Sequence, residues 1–245
     1  MASPTSSSDR PVPRDRLAGI SLCVLVEGGK TAAAFERLVT SLFTAGVGML
    51  QIRDKLLPDA VLLDRVRMAL TAARRHDPGA PPLVTVNDRV GLVAASGADG
   101  VHVGAGDVPV PEARRLLGAD VLVGRTAHAF DEARLAVAAG ADYLGVGPCF
   151  GSVTKSFAAQ APRDFLGAAA RLPLPVFAIG GVTPERIEEL RGLGLTRVAV
   201  AAAITAASDP AVAAARFLTV LGNPQTTMAR DGFSTTASLR GRPGA

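Results

Sequence analysis

The chain has 245 residues, of which 48% are hydrophobic and 20% charged, and this length predicts one large domain or two small ones with a substantial core. It has only two cysteines, Cys23 and Cys149, which excludes a disulfide scaffold and favours the cytoplasm. No apolar run reaches the roughly 18–20 residues that cross a bilayer, which excludes a membrane partner. The two ends carry +3 of the net charge of +4, which leaves too little basic surface for a nucleic-acid partner.

Both ends of the chain are predicted to be disordered tails. The segment Met1–Arg16 is rich in Ser and Pro and lacks the apolar stretch of a secretory signal. The segment Gly222–Ala245 is rich in Gly, Ser, Thr and Arg and shows no hydrophobic period. We therefore expect tails over residues 1–16 and 222–245 and a folded domain over residues 17–221.

Short apolar runs alternate with stretches of helical spacing between these tails. The strand candidates are Ile20–Val26, Met49–Ile52, Leu83–Val86, Gly100–Val103, Val121–Val123, Tyr143–Val146, Pro175–Ile179 and Arg197–Ala201. The clearest helical stretches are Thr31–Ala45, Ala60–Arg75, Asp131–Ala139, Pro184–Leu193 and Asp209–Leu221. Eight strands, each followed by a helical segment, predict an α/β protein with a single (β/α)8 TIM barrel; a doubly wound open sheet is the alternative.

Polar residues follow successive predicted strands at the same end. In a (β/α)8 barrel the functional residues lie at the carboxyl-terminal ends of the strands, so these clusters are expected to share one site. They are Gln51–Lys55, Asn87–Arg89, His102–Asp107, Gly124–His128, Gly147–Lys155 and Ile179–Gly181.

Two carboxylates and three cations predict a complex of a metal with a polyanion. Asp88 and Asp107 follow neighbouring strands, and two hard oxygen ligands with room for waters suit Mg²⁺. The alternative is that each caps a helix amino terminus. Arg53, Lys55 and Lys155 stand near the same end, and a chain with only three lysines among 26 basic residues keeps two of them there. Chance retention at the surface is the alternative for any single lysine.

A second group of residues suits a phosphate. Gly180 and Gly181 after the seventh predicted strand, with Ala201 and Ala202 at the end of the eighth, allow backbone amides to approach an anion, although either glycine could simply form a turn. His102 and His128 are candidates for a general base or for a structural histidine. Cys149 has no paired histidine motif, which favours a small buried residue over a nucleophile.

The motifs taken together, in this order, resemble the thiamine phosphate synthase family over residues 18–221. The resemblance is carried by Gln51–Lys55, Asn87–Arg89, Asp99–Asp107, Gly124–His128, Gly147–Lys155, Ile179–Gly181 and Ala201–Ile204. The chain departs from the family pattern at Ala105, Arg125, Thr126, Ser152 and Ala202; Thr126 and Ser152 keep a hydroxyl, whereas Arg125 adds bulk and charge.

The resemblance implies a Mg²⁺-dependent transferase that condenses 4-amino-2-methyl-5-(diphosphooxymethyl)pyrimidine with a thiazole phosphate. It implies Asp88 and Asp107 as metal ligands and Lys155, Arg53, Lys55 and Thr126 as catalytic residues. The pyrimidine diphosphate is expected at Gln51, Ile52, Arg53, Asp54, Lys55, Asn87, Thr126 and Lys155, and the thiazole phosphate at Ser152, Val153, Thr154, Gly181, Ala201 and Ala202. The alternatives are a thiazole tautomerase-type relative and a non-catalytic ligand-binding barrel that acts as a regulator. A homo-oligomer is compatible with the sequence.

Overall fold

The computed structural model describes residues 13–151 and 160–222, in which eight parallel strands close into one barrel in chain order. The last strand pairs with the first, Leu22 lying opposite Val198, so the sheet has no open edge. The predicted TIM barrel is therefore confirmed, and the open sheet is excluded. The strands are β1 Leu22–Val26, β2 Met49–Ile52, β3 Leu83–Asn87, β4 Gly100–Val103, β5 Leu122–Ala127, β6 Tyr143–Val146, β7 Val176–Ile179 and β8 Arg197–Val200.

Helices surround the barrel and connect its strands. The last helix, α10 (Pro210–Leu221), shows why one of them starts where it does: Asp209 accepts hydrogen bonds from the Ala211 and Val212 amides, and Pro210 occupies the first turn. No helix in the two described ranges is long and apolar enough to cross a bilayer. The helices are α1 Pro13–Leu17, α2 Ala32–Thr44, α3 Asp59–His76, α4 Val90–Ser96, α5 Val110–Leu117, α6 Phe130–Ala138, α7 Arg163–Ala169, α8 Ile187–Gly192, α9 Ala202–Thr205 and α10 Pro210–Leu221, with a 3₁₀ turn at Pro184–Arg186.

The side chains of each strand alternate between the barrel interior and the layer beneath the helices. Near the strand starts the interior is apolar, and the ring of Phe177 meets that of Tyr143 edge-on with centroids 5.8 Å apart. A Cβ atom at Gly124 would lie 2.1 Å from the Tyr143 ring, so this glycine makes room for the tyrosine. Towards the strand ends the interior becomes polar, with Gln51 and Thr85 side by side on β2 and β3.

The amino-terminal boundary predicted at Arg16 is wrong, because the helix α1 already belongs to the barrel. Arg16 Nη2 donates to Asp99 Oδ1 at 2.5 Å, while Asp99 Oδ2 accepts from the Val84 amide at 2.9 Å. Leu17, 2% exposed, packs into the apolar interior at the start of the strands. Both contacts join residues far apart in the chain, so local composition did not reveal them. The remaining parts of the two predicted tails, residues 1–12 and 223–245, lie outside the described residues.

Candidate functional site

Asp88 and Asp107 lie together at the carboxyl-terminal end of the barrel, which we call the mouth. The Asp88 amide donates to the His102 carbonyl at 2.8 Å, and Asp107 Oδ2 accepts from the Gly104 amide at 2.7 Å. Asp88 has φ +60°, a left-handed conformation that is uncommon outside glycine. Neither residue caps a helix, because the residue before α4 is Arg89 and the residue before α5 is Pro109. The helix-cap alternative is therefore excluded for both.

The two carboxyl groups interact with one another. Burial raises the pKa of Asp88, and the hydrogen bond to Asp107 and its charge raise it further. Partial burial also acts to raise the pKa of Asp107, but the Gly104 amide, Asp88 and the charges of Lys55 and Arg125 outweigh it, so that this pKa is lowered. The pKa values of the two carboxyl groups are therefore shifted in opposite directions, upwards for Asp88 and downwards for Asp107.

Cationic side chains surround this pair. Lys55 Nζ lies 3.7 Å from Asp88 Oδ2 and its side chain is 63% exposed, so it can turn towards a ligand in the mouth. The positive charge of Arg53 is near enough to oppose the rise in the pKa of Asp88. Arg125, one of the departures from the family pattern, lies on the Asp107 side and acts on the pKa of that carboxyl group in the same way. The mouth thus combines two carboxylates with three nearby positive charges.

The loop that carries Lys55 is held by Arg89, a role that sequence reasoning missed. Arg89 Nη1 donates to the Leu57 carbonyl at 2.8 Å and Nη2 to the Asp54 carbonyl at 3.1 Å. The Asp54 carboxylate accepts from the Leu56 and Leu57 amides at 3.0 Å, so it closes the turn of its own loop. Arg89 stands in the Asn-Asp-Arg motif, but its backbone partners are visible only in three dimensions.

The remaining residues predicted for the pyrimidine side lie on neighbouring strands. Gln51 is buried in the barrel interior, two residues after Met49 on the same face of β2. Ile52 is completely buried in the layer beneath the helices, so that any ligand contact it makes comes from its backbone. Asn87 ends β3 directly before Asp88 and is half-buried.

The two histidines at the mouth have different environments. His102 is 9% exposed, and its Nε2 lies 2.9 Å from Thr126 Oγ1. Burial and then the charge of Arg125 lower the pKa of His102 to about 4, against an opposing effect of Asp107, so the ring is neutral at pH 7. His128 Nδ1 donates to the Gly147 carbonyl at 2.6 Å, which is a structural role.

Neither cysteine has the environment of a nucleophile. Cys23 and Cys149 are both free and buried. Burial raises the pKa of each thiol to about 12, so that the thiolate is scarce at neutral pH. Cys149 is a small buried residue, as the sequence favoured.

The loops after β6 and β7 are joined by backbone contacts beside the predicted phosphate site. The Cys149 amide donates to the Ile179 carbonyl at 2.8 Å and the Phe150 amide to the Gly180 carbonyl at 3.0 Å. Gly181 has φ +64°, and a Cβ atom there would lie 2.6 Å from the Gly151 carbonyl oxygen, so only glycine fits. Ala201 and Ala202 are exposed where β8 leads into α9. Ser152, Val153, Thr154 and Lys155 lie outside the described residues.

Comparisons with known proteins agree with this fold. The family model described as thiamine monophosphate synthase matches residues 22–204. The chain is 42% identical over 206 residues to the thiamine-phosphate synthase of Anaeromyxobacter dehalogenans, covering 83% of this chain and 87% of the relative. It is 38% identical to that of Streptomyces avermitilis, covering 83% and 94%. A solved thiamine phosphate pyrophosphorylase from Pyrococcus furiosus superposes with a TM-score of 0.72 at 25% identity, covering 85% of this chain and 97% of that one. The chain belongs to the thiamine monophosphate synthase family.

Proposed function

We propose that the protein is a thiamine-phosphate synthase, a transferase that joins 4-amino-2-methyl-5-(diphosphooxymethyl)pyrimidine to a thiazole phosphate and releases pyrophosphate. The relatives named above carry this activity in their names. The observation that carries the proposal to this chain is the pairing of Asp88 and Asp107 with Lys55 beside them at the mouth. Two carboxylates and an exposed ammonium suit a metal diphosphate better than a metal or an anion alone.

The donor set fits Mg²⁺. Asp88 and Asp107 are hard oxygen ligands, and their mutual contact raises the pKa of Asp88, a cost that a divalent cation between them would relieve. The described residues contain no cluster of three or more His, Cys, Asp and Glu side chains that could hold a metal. The two carboxylates therefore suit a cation that also binds waters and diphosphate oxygens. When bound, Mg²⁺ supplies charge neutralisation for the departing pyrophosphate.

In the proposed reaction the thiazole nitrogen forms a bond to the methylene carbon of the pyrimidine as the bond from that carbon to the diphosphate oxygen breaks. The electron pair of the broken bond leaves with pyrophosphate, and electron donation from the aminopyrimidine supports positive charge on the methylene carbon. The protein therefore needs no strong base, which agrees with a His102 that stays neutral and buried. The positive charges of Arg53, Lys55 and Lys155 would stabilise the developing negative charge.

Neutral side chains complete the pyrimidine side of the proposed site. Thr126 and Asn87 would bind the diphosphate or the pyrimidine, and Gln51 would orient them from the barrel interior. Asp54 shapes the loop that carries Lys55, and Ile52 would contribute through its backbone.

The thiazole phosphate is proposed to bind between the loops after β6, β7 and β8. The close backbone contact of Gly181 with Gly151 supports this, because it leaves no side chain between that amide and a phosphate. The amides of Ala202 and Ala203 come before the first bonded amide of α9, that of Ile204, which donates to the Ala201 carbonyl. Ser152, Val153 and Thr154 complete the proposed set. We also infer a cytoplasmic location from the scarcity of cysteine.

The test is turnover with both substrates and Mg²⁺, followed by separation of the products. The proposal predicts thiamine phosphate and pyrophosphate in equal amounts, and neither product when one substrate is omitted. Isomerisation of a thiazole carboxylate phosphate without condensation would support the tautomerase-type alternative. Binding of the ligands without any product would support the regulatory barrel.

A further inference from the structure

The interior of the barrel contains a hydrogen bond between two side chains at the edge of the candidate site. His102 on β4 lies opposite Gly124 of β5, and Thr126 follows two residues later on the same face. The distance from His102 Nε2 to Thr126 Oγ1 is 2.9 Å. His102 is buried, whereas Thr126 is half-buried. The pair therefore connects a buried ring to a hydroxyl group that borders the mouth.

The ring of His102 has little room to turn. Its centroid lies 5.4 Å from that of Tyr143, with the two ring planes tilted by 35°. The ring also packs against Gly145, two residues after Tyr143 on the same strand β6, where a Cβ atom would lie 3.3 Å from His102 Cε1. The contact with Thr126 is therefore held by packing around the ring.

The unpartnered ring nitrogen indicates where the hydrogen lies. His102 Nδ1 is buried and has no hydrogen-bond partner among residues 13–151 and 160–222. A hydrogen on Nδ1 would leave a buried donor without an acceptor, and would require the Thr126 hydroxyl to donate to Nε2. A hydrogen on Nε2 leaves only a lone pair at Nδ1, and buried acceptors without partners are tolerated more often than buried donors. We therefore place the hydrogen on Nε2.

We propose that His102 is a positioning residue, whose Nε2–H donates to Thr126 Oγ1 and so leaves the hydroxyl hydrogen of Thr126 free to bind the diphosphate of the pyrimidine substrate. This inference rests on the proposed function, and of the two contacts proposed there for Thr126 it takes the one to the diphosphate. Diphosphate oxygens are acceptors only. If the Thr126 hydroxyl donated its hydrogen to His102, it would turn a lone pair towards them. The direction of one hydrogen bond thus decides whether Thr126 attracts the leaving group or repels it.

The position of the hydrogen can be measured without substrate. The chain has three histidines, and a long-range ¹H–¹⁵N spectrum of uniformly labelled protein distinguishes the two ring nitrogens of each one. The signals that disappear in His102→Gln belong to His102. We expect Nε2–H between pH 6 and pH 8. A hydrogen found on Nδ1 would overturn the inference, whatever reaction the protein performs.

Kinetics test the consequence for catalysis. His102→Leu removes the donor, and we expect a loss of about tenfold to a hundredfold in kcat/KM for the pyrimidine diphosphate, the range typical of residues that orient a ligand group. The KM for the thiazole phosphate should stay within about twofold. His102→Gln, which keeps an N–H, should recover part of the loss. Thr85→Val is the matched control, because Thr85 is a buried polar residue of the same interior whose hydroxyl donates to the Leu50 carbonyl.

A double-mutant cycle separates positioning from general packing. In a Thr126→Val background, His102→Leu should cost less than about twofold in kcat/KM, because the hydroxyl that it orients is already absent. Independent, multiplicative losses would refute the inference, as would a Gln variant no better than Leu. If His102→Leu does not fold, the Gln variant and the spectrum still decide. If the wild type makes no thiamine phosphate, the proposed function fails, and the spectrum decides separately whether Nε2 carries the hydrogen.

Discussion

Acid destabilisation through His102 is a prediction whose magnitude follows from the structure. Burial and Arg125 lower the pKa of His102 to about 4 in the folded protein, whereas the ordinary value is 6.5. Between these values the unfolded chain binds a proton at His102 and the folded chain does not, so stability falls as the pH falls from about 7 to about 4. Between pH 7 and pH 5 this linkage should cost roughly 2 kcal/mol of unfolding free energy.

The assay is urea unfolding followed by circular dichroism at pH 7, 6 and 5. His102→Gln should lose roughly 2 kcal/mol less than the wild type between pH 7 and pH 5, because glutamine does not titrate. The control Thr85→Val should be less stable at every pH but should keep the dependence of the wild type, since it removes a buried hydroxyl group and no titrating group. An unchanged pH dependence in His102→Gln would refute the assignment of His102 as a buried neutral residue.

Three further predictions test the site, the interior and the boundary of the domain. Lys155→Ala should lower kcat by a factor of about 10²–10³, and Lys155→Arg should recover only part of this loss. Lys30→Ala, outside the matched motifs, should leave kcat nearly unchanged. A wild-type kcat in Lys155→Ala would exclude this lysine from the site. Gly124→Ala places a Cβ atom 2.1 Å from the Tyr143 ring and should destabilise by about 1–3 kcal/mol in urea unfolding, whereas an unchanged midpoint would mean that the ring moves away freely. Removal of residues 1–12 should leave Tm nearly unchanged, whereas removal of residues 1–17 also deletes buried Leu17 and should lower Tm by about 5 °C or more. Equal Tm values for the two truncated proteins would contradict the packing of α1 on the barrel.

Sequence pattern predicted the barrel because the pattern itself is local. Each strand is a short apolar run, and strands β2, β4 and β6 begin and end at the predicted residues. Asp88 and Asp107 could be placed together for the same reason, since consecutive parallel strands end at the same rim. The helix-cap alternative for them depended on where α4 and α5 begin, which local spacing did not define.

The pattern of the sequence did not predict contacts between residues that lie far apart in the chain. Arg16 pairs with Asp99 at the base of the barrel, and Arg89 holds the loop of Lys55 through backbone carbonyls that have no signature in the sequence. The bond between His102 and Thr126 joins two strands. It favours a structural histidine over a general base, the two alternatives that the sequence left open for His102. In each case the sequence supplied the residue and only the folded barrel supplied its partner.

The formation of thiamine phosphate as a function of Mg²⁺ concentration tests the central claim most directly. We propose that Asp88 and Asp107 would hold the metal of a metal diphosphate, so EDTA should abolish turnover by the wild type and excess Mg²⁺ should restore it. Asp88→Ala should require a much higher Mg²⁺ concentration, while Lys30→Ala should follow the wild-type curve. Full activity in EDTA, or an Asp88→Ala curve that coincides with the wild type, would contradict a metal site at Asp88 and Asp107.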